Sequence, residues 1–107
     1  MTTFEEYERN EETKFRHDQE LGFRVRNRRN KLFGLWVAQI HLDLSGDAAT
    51  AYAKDVVMAD FEQPGDQDML DKVKADLKQA GKNVSEHLLV KHVDDCEREA
   101  QKQVMAE

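Results

Sequence analysis

A chain of 107 residues, 39% hydrophobic and 36% charged, holds one small domain with a modest core and a heavily charged surface. Its formal net charge of −6 speaks against nucleic acid as a partner, because neutralisation of phosphates dominates such affinity. The single cysteine, Cys96, excludes an intrachain disulfide, and no apolar run reaches the roughly 18 residues of a membrane span.

The opening MTTFEEYERN is acidic and polar, unlike a signal or transit peptide, so a cytoplasmic chain with no direct membrane insertion is expected. Residues 1–20 carry seven acids against three bases, with Phe4, Tyr7 and Phe15 as a thin apolar stripe broken by Glu11. Thr3 and Glu6 have capping-box spacing, and Glu5–Arg9 and Glu12–Arg16 have helical ion-pair spacing. An isolated helix of this length is marginal in water. Residues 1–20 therefore read as a protruding, partly disordered helical arm that orders when bound. In helical phase the arm continues into the next segment, and one helix from Thr3 to about Leu44 would stay in register. Gly22 offers a place to bend or fray.

The following stretch, RVRNRRNKLFGLWVAQI, begins basic and ends apolar. Arg24, Arg26, Arg28, Arg29 and Lys31 precede Phe33, Trp36, Val37, Ile40 and Leu44, which fall on one helical face at about 100° per residue. This predicts a helix over about 22–44 that carries Trp36 into the core. Arg29 interrupts the core stripe. Gly34 costs a mid-helix position about 1 kcal/mol relative to Ala, which implies close approach by a neighbouring helix.

Ser45 or Asp47 caps a second helix over about 47–61, with Ala49, Tyr52, Ala53, Val56 and Ala59 or Asp60 inward, and Val57 and Phe61 flanking. Pro64-Gly65 makes a turn, and Asp66 caps a third helix over about 67–80 with Leu70, Val73, Leu77 and Ala80 inward. Gly81 ends it. Ser85 caps a fourth helix over about 86–104 with Leu89, Val93, Cys96, Ala100 and Val104 inward, and Val84 staples to Leu89. No stretch alternates with period two. The expected fold is all-α: a small four-helix bundle over residues 21–107 with the arm in front of it.

The residues show no catalytic set. His87 and His92 are five apart, on different faces of a helix, whereas metal pairs prefer i, i+4. Asp66, Asp68 and Asp71 lack the glycine and spacing of a calcium loop. Cys96 falls in the apolar phase as a small core residue. No metal and no cofactor are expected, and the chain is not expected to be an enzyme. The basic run Arg24, Arg26, Arg28, Arg29 and Lys31 leaves three uses open: holding an anion or nucleotide phosphates, contacting a partner, or pairing with acids of helices two and three.

Six blocks carry a resemblance. They are Phe4 to Arg9 (F-E-x-Y-E-R), Lys14 to Asp18 (K-F-x-H-D), Arg26 to Trp36 (R-x-R-R-N-K-L-F-G-L-W), Ala51 to Val57 (A-Y-A-K-D-V-V), Asp60 to Asp66 (D-F-E-x-P-G-D) and Gln103 to Glu107 (Q-V-M-A-E). The chain resembles the zeta subunit of alphaproteobacterial F-type ATP synthases, an inhibitor of that enzyme's ATPase activity. The likeness runs nearly end to end, is loosest over residues 82–102, and departs from the family pattern at Leu21-Gly22.

The resemblance implies an arm that inserts into the catalytic head, between catalytic and non-catalytic subunits near the rotor stalk, and blocks hydrolysis. Phe4, Tyr7 and Phe15 would anchor it, while Glu5, Glu8, Arg9, Glu12, Lys14 and Arg16 would pair with charges in the crevice. The bundle would stay outside the head, as an anchor. The protein would be a monomer when free and peripheral to the inner membrane through the synthase. The residues alone support only a helical adapter or assembly protein with a binding arm, and that alternative stays open.

Overall fold

The computed structural model describes residues 3–60 and 65–107, with side chains from Asp18 onward. Four α-helices follow one another: α1 (Thr3–Trp36), α2 (Gly46–Asp60), α3 (Gln67–Gln79) and α4 (Glu86–Met105). A π-helical turn, Val37–His41, continues α1. Among the described residues there is no strand, and the fold is all-α. The expected turn over residues 62–64 and the flanking Phe61 lie outside the described residues.

The central element is α1, which packs against both α2 and α4, while α3 lies chiefly on α2. The core gathers Phe33 and Val37 of α1 and the π turn, Val56 of α2, Met69, Val73 and Leu77 of α3, and Leu89 and Val93 of α4. Burying each such side chain is worth roughly 1.5–3 kcal/mol. Gly34 makes the closest helix contact. A Cβ placed there would stand 2.7 Å from the Ala53 Cα and 3.1 Å from the Val56 Cβ, so only glycine lets α1 and α2 approach this far. The sequence expectation for Gly34 is met, and Ala49 and Ala53 supply the matching small surface on α2.

The ends of α3 and α4 follow their punctuation. Gly81 has φ +73°, and its N–H donates to Lys78 O while Lys82 N–H donates to Leu77 O, which closes the last turn of α3. The Ser85 hydroxyl accepts from Leu88 N at 3.2 Å and caps α4. All five residues expected inward on α4 are buried.

Several expectations need correction. Ile40 is 62% exposed and Leu44 only half-buried, because the π turn advances less per residue than an α-helix and rotates later residues off the core face. Leu42 packs against the core instead. The chain leaves this turn through a Leu44 N–H to Ala38 O bond, with Asp43 at φ +56°. Trp36 is half-buried rather than a core centre. Ala80 is exposed, since it is the C-cap residue of α3, and Met69, at the other end of the helix, is buried as well as Leu70. Asp66 stands at the N-cap of α3 but its side chain makes no capping bond; its carboxylate is engaged by Arg29.

Candidate functional site

The sequence points to two parts of α1: its first turns and its basic run. The side chains of Phe4, Glu5, Tyr7, Glu8, Arg9, Glu12, Lys14, Phe15 and Arg16 lie outside the described residues. The backbone that carries them belongs to the same helix as Phe33. Asp18, Gln19 and Glu20 are exposed, and among the described residues the ion pairs that tie α1 to other elements begin at Arg24.

The basic run divides by helix face. Arg26 and Arg29 turn toward α2 and the start of α3. Asp60 at the end of α2 is 6% exposed, and its carboxylate accepts from Arg26 Nη2 at 2.9 Å and from the Asn30 amide at 2.8 Å. Asn30, 1% exposed, accepts in turn from Arg29 Nε at 3.0 Å. Arg29, 7% exposed, reaches Asp66 with Nη2 at 2.7 Å. Burial pushes the Asp60 carboxyl up, but the bonds from Arg26 and Asn30 outweigh it and hold the group below the usual carboxylate range. Two buried charges thus share a buried amide, and each has a half-exposed partner of opposite sign, Arg26 for Asp60 and Asp66 for Arg29, which is the condition for tolerating them inside.

Arg24 and Arg28 turn toward α4, where both guanidinium groups bind the Glu107 carboxylate, and Arg28 also donates to Gln103 Oε1 at 2.8 Å. The Arg28 contact chiefly holds the Glu107 carboxyl low, although the site is open to solvent. Lys31 is exposed and makes no ion pair among the described residues. Pairing with acids of neighbouring elements therefore engages four of the five cations, including Glu107 beyond α4, which the sequence did not suggest.

A groove runs between α1 and α2 beside this run. One hollow of about 340 Å³ is lined by Arg24, Asn27, Arg28, Lys31 and Val57. A second, of about 260 Å³, is lined by Lys31, Thr50, Lys54 and Val57. No acidic side chain lines either. Asn27, Thr50 and Lys54 were not singled out from the sequence, and Val57 was expected only to flank the inner side of the second helix. Their signal is Thr50, Lys54 and Val57 at i, i+4, i+7 on the outer side of α2, opposite the basic run.

Trp36 lies at the opposite seam. Its ring stacks on His92 of α4 at 3.7 Å between centroids and meets the edge of His41 at 4.7 Å. Burial lowers the His92 pKa, with Asp95 opposing and His41 adding to the effect. His41 Nε2 is buried without a hydrogen-bond partner. Burial raises the Cys96 thiol to about 11, which suits packing rather than nucleophilic chemistry. Among the described residues, no group of three His, Cys, Asp or Glu side chains is placed to hold a metal ion. No described helix is long and apolar enough to cross a membrane.

The sequence model of a family described as ATPase inhibitor subunit zeta matches residues 1–103. This chain belongs to that family. No curated protein and no solved structure matches it. The matched span takes in the arm, the basic run and nearly all of α4, so the zeta family pattern covers both parts of α1 described above. Membership makes the chain an inhibitor subunit, and a zeta subunit's role implies binding to ATP synthase.

Proposed function

We propose that this chain stops ATP hydrolysis by inserting residues 1–18 into the catalytic head of F-type ATP synthase, between catalytic and non-catalytic subunits near the rotor stalk. The observation that carries this is the continuity of α1. The helix that holds Phe33 and the buried Arg29–Asn30 pair runs unbroken back to Thr3. A wedge must be fixed to something that cannot follow it in, and the bundle is that stop. Phe4, Tyr7 and Phe15 serve as apolar anchors, and Glu5, Glu8, Arg9, Glu12, Lys14 and Arg16 form the charged rim around them. A segment this polar, with three apolar anchors, buries little apolar surface per unit of interface, which suits a reversible brake. The action needs no cofactor and no catalytic residue of its own. It places the monomeric protein in the cytoplasm, at the membrane only through the synthase.

The test is ATP hydrolysis by an isolated ATPase head, with the full chain and with a chain lacking residues 1–18. Inhibition by the full chain alone supports the wedge. Binding by both chains with no loss of turnover would replace it with the adapter role.

A further inference from the structure

We propose that the groove between α1 and α2 is a second docking surface, and that its occupant is an acidic helical segment of the ATPase head. The inference rests on the inhibitor reading for its partner and on the groove for its chemistry. Four cations line the two hollows: Arg24, Arg28 and Lys31 of α1, and Lys54 of α2. Arg24 and Arg28 share the Glu107 carboxylate, so the open positive charge of the groove is that of Lys31 and Lys54, on a chain whose net charge is −6. Lys31 and Lys54 are exposed and make no ion pair among the described residues.

The other end of the groove already shows what it takes. Arg24 and Arg28 bind a carboxylate, that of Glu107. Val57 and the stems of the long cations give the groove an apolar floor, against which a helix can lie. Glu20 and Asp47 each stand one turn beyond the groove on its own helices, so the cationic stretch is bounded at both ends. Lys31 and Lys54 line the same hollow from opposite helices, so acids on one face of a partner helix can reach both. Charge pairing of this kind steers association and fixes register more than it adds depth to the complex.

The experiment uses the full chain and its K31E/K54E variant, with K31A/K54A beside them. Affinity for the isolated ATPase head is measured directly, and inhibition is titrated in parallel. Both lysines are exposed, so the thermal midpoint should stay within error of the parent. The expected result is an affinity loss of about tenfold for K31E/K54E at low salt, a smaller loss for K31A/K54A, and the same full inhibition at saturation. The gap should narrow as salt rises, because screening acts over about 8 Å at physiological ionic strength. Equal affinity of parent and variants overturns the proposal, as does loss of ATP binding by the variants with head affinity unchanged. Parent that binds the head without inhibiting it defeats the wedge instead, and the binding isotherms still decide the groove.

Discussion

The two seams of α1 are built by opposite means. Against α2 the helix comes so near that a single methyl group at Gly34 would collide with the Ala53 backbone. One turn away, the buried Asp60 carboxylate accepts from the buried Asn30 amide and from the half-exposed Arg26. Against α4 a buried apolar row from Leu89 to Val104 is flanked by flat rings, Trp36 on His92, and by open ion pairs from Arg24 and Arg28 to Glu107. The α2 seam tolerates little change in shape or charge. The polar part of the α4 seam is softer, since exposed ion pairs contribute little after screening and side-chain entropy.

Asp60→Ala should show the contrast most strongly, because it leaves the buried Asn30 amide N–H without its acceptor and strips Arg26 of its principal partner. A loss of about 1–3 kcal/mol is expected, read from urea melts; a loss under about 1 kcal/mol would mean that the network does not hold the seam. Gly34→Ala comes next. Alanine improves helix propensity by about 1 kcal/mol, but the backbone of Ala53 cannot yield, and overpacking of this kind typically costs about 1–3 kcal/mol. A net loss is expected, and a more stable variant would show that the helices have room to part.

A third effect is set by pH. The folded His92 pKa lies below its ordinary value, so as pH falls from about 6.5 the unfolded chain takes up a proton that the folded chain resists. The stability present above that pH should decline as pH falls through the folded value, and His92→Gln should flatten this limb of the profile. A profile unchanged by His92→Gln would remove the stack from the account. Asp60 acts in the same direction at lower pH, since its depressed pKa stabilises the fold above the ordinary carboxylate range. The smallest effect is expected from Glu107→Gln, which should leave the thermal midpoint unchanged within error. A clear drop would mean that the α4 seam is stronger than its exposure allows.

Much of the bundle was legible because its punctuation is local. Gly81 and Ser85 act within one turn of themselves, and the inward phase of α4 needs only its own spacing. The π turn was not legible, since Val37–His41 contains no residue that requires an extra backbone step, and Ile40 was misplaced for that reason. The Arg29–Asn30–Asp60 group was half legible. Arg29 stood out as an interruption of the core stripe and Asp60 as a candidate inner position of α2. Opposite charges on the inner faces of two neighbouring helices were the signal to pair them. Asp66 misled because a carboxylate at an N-cap position usually caps, and only the fold brings Arg29 near enough to claim it. The groove escaped notice because Lys54 alone looks like any solvated lysine.

The chain has one tryptophan, and it sits against α4 rather than in the arm. Its emission is therefore an intrinsic gauge of the bundle, sensitive to the imidazoles on either side and blind to residues 1–18. Loosening of the bundle can be followed by the light from Trp36, while insertion of the arm is followed by turnover. Whether the bundle stays folded as the arm inserts can then be read without attaching a label to the protein.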